Sequence, residues 1–439
     1  MKRGLIRFSL IALPLLVAST AFAQQKGISY FRSYDKRGIN VFETPKTDTI
    51  PFTGLKVRIG GNFTQSFQSL DHSNKALPNI DPVSGADRNK LLSLTPGFNT
   101  AVANLNIDVQ LADGVRMNLI TYLSSRHHQE TWVKGGYIQF DRLPFLNSDA
   151  LDKLMEYTTI KVGHMEINYG DGHFRRSDNG NALYNPFIEN YILDAFTTEI
   201  GGEIYFQNKG MIAMLGIAGG EIKGDVLEPA VVANDDKAKK SPSFYGKLGY
   251  DKQLTEDFRL RVTGSAYHTA SSVNNVLYGG DRAGSHYYFV MENQSTTSQF
   301  YSGRLQPGFK DKVTALTGNV FMKYRGLEFF GTYENAKGRA QNETSERTVD
   351  QVAAELVYRF GSKENVFVGA RYNNVNAEVA GIANEVSINR MQFGAGWFIT
   401  KNLLLKGEYV NQKYLDYPNT SILHEGKFNG FVVEAIVGF

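Results

Sequence analysis

Three observations predict an all-β chain closed into a transmembrane antiparallel up-and-down β-barrel of about 16 strands, with an inward-folded third extracellular loop. Apolar and polar residues alternate with period two through segment after segment. The connectors between these segments alternate between short and long. The closing segment, Phe428 to Phe439, has an unbroken apolar face (Phe431, Val433, Ala435, Val437, Phe439) and a mixed opposite face carrying Glu434. One greasy face, one part-polar face and a final aromatic suit a strand at the rim of a lipid-embedded barrel.

The first 23 residues read as an export signal. Lys2, Arg3 and Arg7 precede a short apolar core, Leu10 to Val17, and Ala21-Phe22-Ala23 offers a small-x-small cleavage site before Gln24. A spanning helix needs about 20 apolar residues, and no stretch of the chain supplies them. The leader carries three of the 47 basic residues, so the mature chain balances its 44 acidic ones, and no nucleic-acid partner is expected. The absence of cysteine excludes disulfides, thiolate metal sites, a cysteine nucleophile and a lipid-modified cysteine. A mean hydropathy of −0.29 argues against a helical membrane protein but suits a barrel with a polar lumen and loops.

Residues 24–53, punctuated by Pro45 and Pro51, read as a periplasmic N-terminal extension acting as a tether. The barrel then occupies 54–439. Strands are expected near 55–68, 98–111, 115–124, 131–141, 157–166, 195–206, 211–222, 243–252, 258–269, 312–324, 327–336, 348–360, 366–376, 386–400, 403–413 and 427–439. The clearest case sets Leu105, Ile107, Val109 and Leu111 against Asn104, Asn106, Asp108 and Gln110. Ala112-Asp113-Gly114 then signals a tight turn. Short turns on one side and long polar loops on the other are the build of bacterial outer-membrane barrels. One connector on the turn side, 142–156, is long, and Ser148 to Met155 reads as a short periplasmic helix with Asp149 as its cap. Phe140, Phe206, Tyr250, Phe258, Tyr324, Phe360 and Phe439 fall near turn-side strand ends, as an interfacial aromatic girdle requires. Sixteen strands also leave an aqueous channel rather than a packed interior.

The third long loop, Ile167 to Asp194, carries both signs of charge at Asp171, His173, Arg175, Arg176 and Asp178, with Gly170, Gly172 and Gly180 for sharp turns. These five residues are the candidate constriction, and Tyr184, Pro186 and Phe187 are candidates to pin the loop to the wall. With the apolar face toward lipid, the lumen receives Lys56, Arg58, Arg116, Lys161, Lys247, Arg259, Arg261, Lys323, Arg359, Arg371, Arg390 and Lys406. It also receives the acids Asp108, Glu203, Glu328, Glu334, Glu355, Glu408 and Glu434. A basic excess along a pore favours anions, unless the charges cancel across neighbouring strands. Catalysis has little support. His127-His128 with Glu130 and the acidic run Asn234-Asp235-Asp236 read as solvated loop, and no cofactor or metal is expected.

Three passages carry a family resemblance: Leu55 to Gly61, Tyr137 to Phe140, and Thr159 to Gly170. They resemble the phosphate-selective porin O/P type of Gram-negative outer-membrane porins, in the form common among Bacteroidota. The resemblance implies a sixteen-stranded, often homotrimeric, passive channel for small hydrophilic solutes or anions, which in phosphate-selective members carries an arginine-rich eyelet and a lysine ladder. Arg175 and Arg176 fall in the matching loop, and Lys56, Lys161 and Lys247 on lumen faces. Outer-membrane lipid, lipopolysaccharide and the barrel-assembly machinery are then the expected partners, with Phe439 as the assembly signal. Two alternatives remain open: a channel for hydrophobic compounds, with 24–53 as its plug, and a surface-binding barrel acting through the aromatic Tyr287-Tyr288-Phe289 of the 270–311 loop.

Overall fold

The computed structural model describes residues 27–46, 50–124, 130–224, 226, 240–293 and 301–439. The export signal, His127-His128 and Asn234-Asp235-Asp236 lie outside the described residues. One antiparallel sheet closes on itself. It runs β1 (Lys56–Ser73), a two-residue β2 (Gly97–Phe98), β3 (Val102–Ala112), β4 (Val115–Leu123), β5 (Trp132–Phe140) and β6 (Thr158–Glu166). The ring continues with β7 (Thr198–Asn208), β8 (Met211–Ala218), β9 (Ser243–Gln253), β10 (Phe258–Thr269), β11 (Lys312–Tyr324) and β12 (Leu327–Arg339). It ends with β13 (Arg347–Phe360), β14 (Val366–Ala377), β15 (Val386–Thr400), β16 (Leu403–Leu415) and β17 (Lys427–Gly438). Setting β2 aside, sixteen strands form the wall, each paired with its sequence neighbour.

Closure is staggered. Residues 56–64 of β1 pair with β3, whereas residues 62–73 pair with β17, so one long strand serves two neighbours with little overlap. That offset is the shear a tilted barrel needs. Phe439 completes the seam, exchanging both backbone bonds with Gly61 at 3.0 Å.

The wall is inverted relative to a water-soluble barrel. Leu215 and Leu248 are each 70% exposed, while Arg261 and Glu434 are fully buried. Outward apolar side chains of this size suit only a lipid surround. Phe206, Tyr324, Phe360 and Phe439 project outward at the turn-side ends.

The strands sit where period-two alternation places them, and the departures concern ends. β1 runs on to Ser73 because β17 gives it partners up to that residue. β8 stops at Ala218, before Gly219-Gly220, where Gly220 takes a φ of 75°. The turn-side helix forms as α1 (Asp149–Met155), but Ser148 rather than Asp149 occupies the cap position. Asp149 and Asp152 instead lie in the first turn, where the helix dipole favours acids.

The extension departs most from expectation. Residues 27–46 do not hang free as a tether but make a circuit of inward-facing groups near the turn side. Arg116 Nε donates to Ser29 O at 2.9 Å, and Tyr34 Oη to Asp108 at 3.1 Å. Lys36 N reaches Lys401 O at 2.9 Å, and Lys36 Nζ reaches Asn365 at 2.6 Å. Arg259 Nη1 donates to Asn40 O at 2.9 Å, and Glu43 pairs with Arg261 at 2.7 Å. Lys46 Nζ returns the strap to Asp141 O at 2.8 Å and Thr158 O at 2.9 Å. The sheet makes room for it. A Cβ on Gly60 would stand 2.1 Å from the Tyr34 ring, and one on Gly438 would stand 2.2 Å from Tyr34 O.

Gly60→Leu therefore displaces the strap while leaving the ladder intact, at a cost of about 1–3 kcal/mol. The variant is expected to keep its heat-modifiable migration on gels but to lose protease resistance within 27–46. Unchanged resistance would contradict the close packing.

Candidate functional site

The inner wall supplies charge in cross-strand pairs. Arg58 bonds Asp108 at 2.5 Å, Arg359 bonds Glu328 at 2.8 Å, and Arg371 bonds Glu355 at 2.9 Å. Lys323 reaches Glu364 at 2.8 Å, and Lys406 reaches Glu434 at 3.3 Å. Arg116 pairs with Asp141. Register explains half of these pairs, since Arg58 stands opposite Asp108, Glu355 opposite Arg371 and Lys406 opposite Glu434. Cancellation across neighbouring strands, weighed against an anion-selective excess, thus accounts for much of the wall.

The segment 167–197, between β6 and β7, is held by strands on the far side of the ring. Its backbone N–H groups at Ile188, Ile192 and Leu193 donate to Glu408 at 2.8 Å, Asn373 at 2.7 Å and Gln351 at 3.0 Å. Its carbonyls are taken by Lys406 (Ala182, Asn185 and Phe187), Arg371 (Glu189) and Arg390 (Asn190). All six wall residues lie on β13 to β16. A loop carrying its peptide groups into a water-poor interior needs such partners, because an orphaned buried group costs about 1–3 kcal/mol. Phe187 is fully buried with Phe367 and Phe398, as its pinning role requires.

The five charged residues of this loop are not free. Asp171 receives Arg261 at 2.7 Å, Lys247 at 2.9 Å and Thr263 Oγ1 at 2.7 Å. Burial pushes its carboxyl up, but Lys247 and Arg261 outweigh burial and hold it well below the usual carboxylate range. His173 bridges Glu166 at 2.5 Å and Asn168 at 2.9 Å. Arg175 reaches Glu355 at 3.2 Å and Glu328 at 3.8 Å, and bonds Asn40 of the strap. Arg176 binds Asp194 at 2.5 Å, Asp281 at 2.7 Å and Asp178 at 3.4 Å. Asp178 also takes Lys134. Burial alone would weaken the Arg176 cation, but Asp194 and Asp281 keep its pKa above the ordinary arginine value.

The 270–311 loop joins this network. Arg304 binds Glu189 at 2.6 Å, Asp281 at 2.8 Å and Asp194 at 3.1 Å, linking both loops. Tyr287, a candidate for surface display, is instead buried with its hydroxyl on Glu408. An aromatic run in a polar loop marks an inward anchor here, since Tyr buries its ring when the hydroxyl finds an acceptor.

Between strap, loop and wall lies a cavity of about 260 Å³. The strap contributes Tyr30, Phe31, Arg32, Tyr34, Phe42 and Glu43, and the third loop contributes Phe174, Arg176 and Asp178. Lys134, Tyr137, Lys161 and Tyr205 come from β5, β6 and β7. Of the wall cations predicted to line a pore, Lys161 alone reaches this cavity. Arg32 and Glu43 escape a sequence reading because a non-periodic stretch gives no face. The one available signal is Tyr30-Phe31-Arg32-Ser33-Tyr34, too aromatic for a solvated tether.

The whole architecture has solved counterparts. The anion-selective porin of Comamonas acidovorans is 11% identical, with 88% of this chain and 100% of that one covered and a TM-score of 0.52. The outer-membrane channel DcaP of Acinetobacter baumannii is also 11% identical, with 94% and 100% covered and a TM-score of 0.50. The fold is that of outer-membrane porins and channels. Neither a family model nor any curated protein matches the chain.

Two outcomes follow. Arg176→Ala leaves Asp194, Asp281 and Asp178 short of a buried partner, a change that costs about 3–5 kcal/mol. Hydrogen exchange should rise across 167–197 and 270–293 while the wall strands stay protected. Glu43 gives a pH dependence. Burial pushes its carboxyl up, but Arg261 and Lys247 outweigh burial and hold it at about 2, below the ordinary 4.5. Because its folded value is depressed, its anchoring is complete above pH 4.5 and fades as pH falls toward 2. Exchange protection of residues 40–46 should drop across that window, and Glu43→Gln should remove the dependence.

Proposed function

We propose that the chain is an outer-membrane channel through which small hydrophilic solutes diffuse down their gradients. The path runs through the cavity between strap, third loop and the β5–β7 wall. The observation that carries this reading is the polarity of the ring: charged and amide side chains face inward, and apolar ones face outward. Such a lumen is wetted unless something fills it. The third loop and the strap act as the constriction, with Asp171, His173, Arg175, Arg176 and Asp178 as structural members of it. Selectivity falls to charges left without a counter-ion. Lys161 and Arg32 line the cavity with no carboxylate partner among the described residues, which favours anions weakly. The Comamonas porin that shares the fold is anion-selective.

The contacts of residues 27–46 favour a second reading, a substrate-specific channel in which the strap is the plug. Single-channel recording in a planar bilayer under a salt gradient tests both. The porin reading expects steady conductance with an anion-favouring reversal potential, moved toward cations by Lys161→Glu. Under the plug reading, conductance is small and deletion of 27–46 raises it several-fold. A folded, heat-modifiable barrel that conducts neither whole nor strapless would overturn both.

A further inference from the structure

The cavity has a chemistry of its own. Its three acids are each engaged: Glu43 by Lys247 and Arg261, Asp178 by Lys134 and Arg176, and Glu166 by His173. Two of its cations are not. Lys161 stands opposite Glu203 in the β6–β7 register, yet Glu203 is occupied by Asn168 N, Tyr205 Oη and Tyr245 Oη. The ammonium lies instead over the rings of Tyr137 and Tyr205, 4.4 and 5.7 Å from their centroids. Arg32 stacks on Tyr184 at 3.5 Å, and its Nε and Nη1 donate to Gly38 O and Phe174 O. Its Nη2 is buried with no partner at all. Burial pulls the Arg32 guanidinium down to about 10, which leaves it charged at neutral pH. A buried donor without an acceptor is costly, and an incoming acceptor removes that cost.

Six aromatic residues, Tyr30, Phe31, Tyr34, Phe42, Tyr137 and Phe174, share the rest of the lining with amides that include Asn104, Asn118 and Gln139. Inorganic phosphate would gain from the cations but nothing from these rings. A flat apolar body gains from the rings, and a carboxylate gains from Arg32 and Lys161. A space of about 260 Å³ fits one small ring with its substituent rather than an oligomer.

We propose that this cavity is a binding site for a small carboxylate on a flat apolar body, with Arg32 of the strap and Lys161 of the wall as its anion-binding pair. The proposal rests on the channel reading for its access route and deepens it by naming the solute class. It also gives the strap a purpose. The strap does not merely obstruct the lumen but supplies one of the two cations, so the site exists only while the strap is docked.

Titration calorimetry of the full protein in detergent tests this, with benzoate as probe and benzamide and inorganic phosphate as controls. Benzoate should bind at least tenfold more tightly than either control. Lys161→Met and Arg32→Gln should each weaken it at least tenfold, while Arg142→Gln on the exposed turn leaves it unchanged. Arg32 lies outside the wall, so its variant keeps the barrel folded, and heat-modifiable migration checks this. Equal affinity for benzoate and benzamide, or wild-type affinity in both cavity variants, overturns the proposal. Bilayer recording separates the two readings. Conductance without benzoate binding discards the site and keeps the channel, whereas binding without conductance keeps the site and discards the open path.

Discussion

A polar surface turned inward must be satisfied, and that requirement governs this molecule. Sixteen strands enclose a lumen wide enough for water, and period-two alternation fills its wall with arginine, lysine, glutamate and amides. Every segment that enters such a space displaces water and must replace the hydrogen bonds it removes. The third loop meets this demand through its backbone: Gln351, Arg371, Asn373, Arg390, Lys406 and Glu408 take up its peptide groups one after another. The wall side chains read as a pore lining are in large part the sockets into which the loop is plugged.

The strap obeys the same rule with different chemistry. It brings carbonyls to Arg116, Arg58 and Arg259 through Ser29, Arg32 and Asn40, and a carboxylate to Arg261 and Lys247 through Glu43. Its rings cover the same cations: Tyr30 lies 4.5 Å from Arg116, and Phe42 lies 4.2 Å from Arg261. Each contact is modest, but together they close a circuit from Ser29 to Lys46. Because Arg175 of the third loop bonds Asn40, and Arg32 bonds Phe174 O, strap and loop position one another.

The wall was legible in the sequence because a strand between lipid and lumen repeats its alternation along its whole length. Leu105 against Asp108, or Val262 against Arg261, needs no partner to be read. The short turn at Asp113-Gly114 was legible for the same local reason. What could not be read was whatever depends on distant partners. Arg175 and Arg176 look like an exposed eyelet until Glu328, Glu355, Asp194 and Asp281 arrive from β12, β13 and two loops. Tyr287 looks like display until Glu408 accepts its hydroxyl. The strap has no period, so its docking leaves no trace except an excess of aromatics.

Counting basic against acidic residues on the wall overstates the positive charge of the path, because the inserted segments carry their own acids. Asp171, Asp178, Glu189, Asp194, Asp281 and Glu43 all come from loops or strap, and each is spent on an arginine or lysine. The field a solute meets is therefore set by the few charges the insertions do not answer. Lys161 escapes because Glu203 is held by a peptide N–H and two tyrosines. Arg32 escapes because it stacks on Tyr184 and donates to the backbone carbonyls of Gly38 and Phe174 rather than to a carboxylate. Two cations among rings in a confined cavity act at short range, where screening by salt is weak, and so they discriminate by the shape of an anion as well as by its sign.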